Sequence, residues 1–400
     1  MFKVENYEME QKLGEGSFGE VFLTSKKGDK KKYATKQFLR SKIEKSEARK
    51  YLENEILILK GLDHPNIVKF QDVKKTKNHF FIMMEFCNGG ELSKALQKYI
   101  EKNGKAFPEE LVQHFMRQII SAFKYIHGKK IIHRDVKLEN ILLHYENEED
   151  KNNFNLMKAQ VKIIDFGFSC MISPGGLRYT AVGSPINMDP LILIKLTSNS
   201  RKIRQLGYNE SADIWSIGTI CYEMLIGKSA FDAEDMTELV EKVESGSYSI
   251  PTTMSYEIVS FMNGMLQYTS KKRLTAEQLS RHDFLTKEVS QFKKIDLEKI
   301  SDKVSSGAID MNAINNSTIW SIFNKTSESI LTSILGTAFI KPADKTEEEQ
   351  FKKEDSKKSI LVLPKEGIPE NQKQDISVMS KEEFNNIETN YVFNGSIFDY

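Results

Sequence analysis

The run Ile132-His133-Arg134-Asp135-Val136-Lys137-Leu138-Glu139-Asn140 places a carboxylate, a lysine and an asparagine at fixed offsets, and Ile164-Asp165-Phe166-Gly167 adds a second carboxylate. These are the side-chain types that phosphoryl transfer needs: a group that orients a hydroxyl, a cation for the transferring phosphate, and two oxygen ligands for a hard metal ion. Asp135 would accept the proton of the attacking hydroxyl, and Lys137 would point along the same extended loop toward the γ-phosphate. Asn140 and Asp165 would hold Mg2+. The plain alternative is a solvated turn between two apolar strands, Ile141-Leu142-Leu143 and Val161-Lys162-Ile163-Ile164. Either motif alone leaves both readings open; the ordered pair favours the chemistry.

A second constellation lies near the start. Gly14, Gly16 and Gly19 have GxGxxG spacing, which dinucleotide-binding folds share. Those folds need a helix directly after the glycines. Here Glu20-Val21-Phe22-Leu23-Thr24 follows, which reads as a strand, so the glycines belong to a hairpin whose backbone N–H groups can approach phosphates. Val21 would cover an adenine face. Lys36 sits on the next strand. Residues 44 to 60 read as a helix, with Ala48, Leu52, Glu55, Ile56 and Leu59 recurring at three or four. Glu55 lies on its apolar side, where a carboxylate wants a cation, and Lys36 is the candidate. The alternative, an exposed glutamate on a charged face, fits Glu53 better. Residues 109 to 127 form a second amphipathic helix that Gly128 ends.

With these residues in place the chain resembles a eukaryotic protein kinase over residues 7 to 285. The resemblance implies an α+β fold of two lobes, an antiparallel β N-lobe with one key helix (about 7 to 85) and a mainly helical C-lobe (about 88 to 285). It implies an ATP site between them, formed by Leu13, Gly14, Glu15, Gly16, Ser17, Phe18, Gly19, Val21, Ala34, Lys36, Met84, Glu85, Cys87, Glu91 and Leu142. In that site Lys36 meets the α- and β-phosphates and pairs with Glu55, Met84 gates the back of the adenine pocket, and the backbone of Glu85 and Cys87 bonds adenine. Thr35 stands where the family has an aliphatic residue. Asp135 and Lys137 are the implied catalytic pair, and Ser184 matches the hydroxyl residue that bonds both. Arg134 is implied to await a phosphate on the activation segment. Thr180 is the candidate phosphosite for an upstream activating kinase, with Tyr179 and Ser173 as rivals. Lys137 and Ser184 together favour Ser/Thr over Tyr substrates.

The family closes this segment with Ala-Pro-Glu, whereas this chain has Asp189-Pro190-Leu191. Arg273 therefore lacks its usual glutamate, or finds another partner such as Asp189. Asp213 is expected to anchor the catalytic loop, Trp215 to be core, and Gly218 to allow close helix packing. The polar run from His144 to Gln160 is expected to be a flexible hairpin insertion. Asp165-Phe166-Gly167-Phe168, Gly183-Ser184-Pro185 and Trp215-Ser216-Ile217-Gly218-Thr219-Ile220 resemble the unc-51-like, autophagy-initiating kinases, with calmodulin-dependent-like kinases as the runner-up. Glu91, Glu139 and Glu223 match acidic positions that receive substrate arginine in basophilic kinases.

Composition agrees with such a protein. The 400 residues carry a formal net charge of +1, which gives no case for nucleic-acid partners. Cys87, Cys170 and Cys221 are far apart, without metal-site spacing. The most apolar stretch, Ile214 to Ile226, is too short to span a bilayer. No signal peptide is evident, and a cytoplasmic location is expected. Residues 286 to 400 form a tail with an expected amphipathic helix at 314 to 340, which would dock on the kinase lobe, with a partner of unknown identity or a membrane surface as the alternatives, and expected disorder from Lys345 to Asp375. The expected activity is transfer of the γ-phosphate of Mg-ATP to Ser or Thr hydroxyls of protein substrates, as an EC 2.7.11 enzyme. The alternative from another class is a pseudokinase scaffold that binds partners without transferring phosphate.

Overall fold

The computed structural model describes residues 3–293, apart from 17–18, 44–47, 172–177, 179–182, 199, 247 and 252. Ser17, Phe18, Ser173, Tyr179, Thr180, the expected helix at 314–340 and the segment 345–375 lie outside the described residues.

A six-stranded antiparallel sheet forms the N-lobe, in the order β1-β2-β3-β4-β6-β5. Its strands are β1 (Lys3–Val4), β2 (Tyr7–Gly16), β3 (Gly19–Lys26), β4 (Lys32–Leu39), β5 (Phe70–Lys75) and β6 (His79–Glu85). The sheet thus begins ahead of residue 7. The two-residue period of β6 separates two cores. Phe80 and Ile82 join Phe38, Ile43, Leu52, Ile56 and Val73, under the helices α1 (Arg40–Ile43) and α2 (Ala48–Gly61). Phe81 and Met83 join Val4, Tyr7, Met9 and Tyr33 on the other face.

Thr35 is fully buried, yet its hydroxyl is satisfied: Thr24 Oγ1, also buried, donates to Thr35 Oγ1 at 2.7 Å across β3 and β4. The departure from an aliphatic residue is therefore compensated by a second threonine. Thr24→Val should cost about 1–3 kcal/mol by orphaning Thr35, and Thr24→Val with Thr35→Val should recover most of it. A double-mutant cycle in urea checks this, and strictly additive losses would contradict the pairing.

The C-lobe is mainly helical: α3 (Leu92–Asn103), α4 (Glu109–Gly128), α5 (Glu148–Asn152), α6 (Pro190–Thr197), α7 (Arg201–Arg204), α8 (Ser211–Ile226), α9 (Met236–Ser245), α10 (Tyr256–Met265), α11 (Ala276–Leu279) and α12 (Asp283–Thr286). Glu109 and Glu110 open α4, where acidic groups suit the helix N-terminus, and its apolar stripe from Leu111 to Ile126 is buried. α8 is apolar all round and lies in the centre of the lobe. A Cβ on Gly218 would come within 2.8 Å of the Leu266 side chain, so glycine there lets α8 and α10 approach. Trp215 is core, stacked on Phe231 with centroids 5.4 Å apart. The packed chain continues past 285: Lys293 N donates to Glu257 at 2.8 Å, and Phe292 packs on Phe284.

Short strands carry the loops of interest. β7 (Gly90–Glu91), β9 (Ile141–His144) and β10 (Gln160–Ile163) form a three-stranded sheet, and β8 (Ile131–Ile132) pairs with β11 (Cys170–Met171).

One expectation is corrected. The insertion from His144 to Gln160 is not a flexible loop: it contains α5 and a 3-10 turn at Leu156–Lys158, and it buries Tyr145, Leu156 and Ala159. Its polar composition concealed three well-spaced anchors.

Candidate active site

Between β8 and β9 the backbone is extended at Lys137 and then turns as a 3-10 helix at Leu138–Asn140. Asp213, at the N-terminus of α8, holds this loop from beneath. Its carboxylate accepts from His133 N at 2.9 Å, from Arg134 N at 2.8 Å, and meets His127 Nε2 at 2.9 Å. Burial alone would raise the Asp213 pKa, but these donors, His127 foremost, hold it below the usual carboxylate value. The expected anchoring role is what the geometry displays.

Two residues here carry left-handed backbone, Arg134 at φ 70° and Asp165 at φ 62°. Non-glycine residues adopt this region at a cost of about 1–2 kcal/mol, and such strain gathers at functional sites. At Arg134 the two Asp213 bonds on either side of the peptide offset it.

The side chains then converge. Asp135 is 5% exposed; it accepts from Ser184 Oγ at 2.8 Å and Asn140 Nδ2 at 2.9 Å, and meets Lys137 Nζ at 3.0 Å. Lys137 Nζ also donates to Ser184 Oγ at 3.1 Å. The segment near Ser184 is thereby seated on the catalytic loop. Across the cleft, Lys36 Nζ lies 2.9 Å from Glu55 Oε1 and 3.3 Å from Asp165 Oδ1. Burial would push the Lys36 ammonium down, but the Glu55 and Asp165 carboxylates hold it above the usual lysine value, so it stays protonated. Asp165 is held below its usual value against burial, by Lys36 and by the Gly167 N–H.

Glu55 is thus the partner of Lys36. The expectation for Glu53 is corrected: it is 5% exposed and pairs with Arg49 one turn earlier, at 2.6 Å. A four-residue spacing lets the arginine cover a carboxylate that the helix would otherwise bury alone.

Gly14, Gly16 and Gly19 lie in the β2–β3 hairpin, where Gly16 pairs with Gly19 and Gly14 with Val21. Leu13 is 43% exposed at its mouth, and Glu15 pairs with Lys12. Val21, Ala34, Met84 and Leu142 are half-buried. Glu85 is tied to Lys162 at 2.8 Å. Glu91 is half-buried and pairs with Lys94 at 2.7 Å. Cys87 is buried and its thiol is pushed up to about 12 by that burial, so it is packing rather than a nucleophile.

Arg134 donates to the carbonyl of Phe168 and to Tyr208 Oη, the latter at 3.3 Å. His133 had no assigned role. It is fully buried, bonds the Ile164 carbonyl at 3.0 Å and meets Phe166 edge-on at 5.0 Å, joining the two motifs. Its place inside the motif was the available signal.

Asp189 pairs with Arg273, both buried, while its Oδ1 accepts from Leu191 N at 2.8 Å and Ile192 N at 3.3 Å. The expectation that Arg273 finds Asp189 fits this geometry. One carboxylate caps α6 and neutralises the arginine.

The residues also fit a hard divalent cation. No cluster of three or more His, Cys, Asp or Glu is present among the described residues. Asn140 spends its Nδ2 on Asp135, both its side chain and its carbonyl, which leaves Oδ1 as a ligand. With an Asp165 oxygen that makes two protein ligands, the sparse set typical of Mg2+ shared with substrate phosphates.

Comparison with known proteins agrees with this site. A family model described as the protein kinase domain matches residues 7–285. A carbon catabolite-derepressing protein kinase of Candida albicans is 33% identical over 290 residues, 72% of this chain and 43% of that protein. A protein of Dictyostelium discoideum named "Probable serine/threonine-protein kinase MARK-A" is 32% identical over 282 residues, 70% of this chain and 24% of that protein. The chain spans less than half the length of these relatives. With the family model covering well over half of the sequence, the chain belongs to the protein kinase domain family.

Proposed function

We propose that the chain is a Ser/Thr protein kinase that transfers the γ-phosphate of Mg-ATP to hydroxyls of protein substrates. The observation that carries this is the pair of completed contacts, Lys36 with Glu55 and Asp135 with Lys137 through Ser184. Asp135 orients the incoming hydroxyl and accepts its proton, Lys137 faces the transferring phosphate, and Lys36 holds the other phosphates. Asn140 and Asp165 would hold the divalent cation, which when bound would neutralise phosphate charge. The glycine hairpin covers the nucleotide, and Glu85 and Cys87 offer it backbone groups. Transfer of label from ATP to a generic basic protein by the wild-type chain tests the reading. No transfer alongside measurable ATP binding would favour the scaffold.

Finer readings rest on the motifs alone. The residues 165–168, 183–185 and 215–220 support an unc-51-like placement and with it an autophagy-linked role. Phosphorylation of Thr180 by an upstream kinase would add about −2 charge to the activation segment, and the family resemblance names Arg134 as the group that would receive it. Among the described residues no helix is long and apolar enough to cross a membrane; the cytoplasmic location and the protein rather than nucleic-acid substrates of this proposal rest on the kinase reading.

Glu139 and Glu223 support a preference for arginine two or three residues before the phosphosite. Burial, with Glu139 nearby, raises the Glu223 carboxyl to about 7. It is therefore mostly protonated below that pH and anionic above it. KM for an arginine-containing peptide should fall several-fold from about pH 6 to about pH 8, and Glu223→Gln should flatten the profile. A positional peptide library without arginine enrichment would overturn the preference.

A further inference from the structure

The segment between β9 and β10 spans residues 145–159, where a two-residue turn suffices to join antiparallel strands. It is attached at both ends. Asn88, directly after the stretch proposed to bind adenine, grips its start: Tyr145 N donates to Asn88 Oδ1 at 2.8 Å, and Asn88 Nδ2 donates to Tyr145 O at 3.1 Å. The amide thus adds one rung to the sheet in which Gly90 already pairs with Leu143. Gly89 N donates to Leu143 O at 2.8 Å, and a Cβ on Gly89 would come within 2.7 Å of that oxygen. The chain there lies flush on β9.

The far end is braced on helices. Val161 N donates to Gln118 Oε1 at 2.8 Å, and His114 Nε2 lies 3.0 Å from Ala159 O, both on α4. Lys98 of α3 covers the Phe154 ring at 4.4 Å.

We propose that residues 145–159 form a strut that sets the position of the hinge, the stretch 85–89 between β6 and β7, with Asn88 as the positioning residue that transmits it to the backbone of Glu85 and Cys87. This rests on the nucleotide-binding reading above. Backbone groups that recognise a ligand must be held to fractions of an ångström, and a link between hinge and helical core supplies that support. Asn88 touches neither phosphate nor substrate hydroxyl, so its effect falls on nucleotide affinity rather than on chemistry.

The test uses the full chain. Asn88→Ala should raise KM for ATP about fivefold, with kcat and KM for peptide within about twofold. Hydrogen exchange supplies a second readout. In wild type a non-hydrolysable ATP analogue should slow exchange at 85–89 and also at 145–150, and in Asn88→Ala the second region should no longer respond. A lowered melting temperature with KM for ATP unchanged would reduce Asn88 to a structural contact and overturn the proposal. Wild-type protein that binds no nucleotide in the same titration would overturn the functional reading and this inference with it.

Discussion

Asp135→Asn should lower phosphate transfer by about 10²–10⁴-fold, the range for removing a positioned general base, while ATP affinity and melting temperature stay near wild type. The substitution is isosteric. An asparagine oxygen can still accept from Asn140 Nδ2, and its amide can donate to Ser184 Oγ, so both contacts that seat Ser184 and Asn140 persist. What goes is the negative charge facing the hydroxyl, and with it the 3.0 Å ion pair to Lys137. Comparing initial rates with label from ATP and binding by titration separates the two effects. Loss of transfer with retained binding establishes the enzyme and removes the scaffold alternative. Equal rates in the two proteins would remove Asp135 from the chemistry.

Asp189→Ala should cost about 3–5 kcal/mol, the range for breaking a buried ion pair from one side, and lower the melting temperature by roughly 10 °C. The Asp189 and Arg273 side chains are 3% and 1% exposed. Removing the carboxylate leaves Arg273 bonded to the carbonyls of Ser211, Gln267 and Tyr268 but without a counter-charge. It also uncaps α6 at Leu191 and Ile192, a further loss of about 1 kcal/mol. Asp189→Asn, which keeps a capping oxygen, should fall between. Adding Arg273→Met to Asp189→Ala should recover part of the loss, because no charge then stays buried. A single-variant loss below about 1 kcal/mol would mean that the pair is not holding the lobe together. If this buried pair is what replaces the family glutamate at Leu191, phosphate transfer by Asp189→Ala should decline with its stability.

Local spacing was enough to place the glycine hairpin, Lys36, and the clustered set Asp135, Lys137, Asn140 and Asp165. Each is specified by a few neighbouring residues whose backbone conformation is locally encoded: glycines in a turn, β-branched residues in a strand, a carboxylate at a fixed offset on an extended loop. The choice of Glu55 over Glu53 was legible in its apolar flank, but the fate of Glu53 was not, because an i,i+4 arginine can neutralise a carboxylate and let it be buried on a face that the sequence pattern reads as charged.

Pairings between distant segments were decided by the tertiary structure. Thr24 meets Thr35 through strand register, and Asp189 meets Arg273 because α6 and the end of the lobe pack together. Asn88 meets Tyr145 because the hinge becomes the third strand of a small sheet. A buried polar group must find a partner, but sequence separation does not say which one. The insertion at 145–159 shows the same limit. Its charge count argues for a solvated loop, while three buried side chains and one amide across the hinge hold it in place.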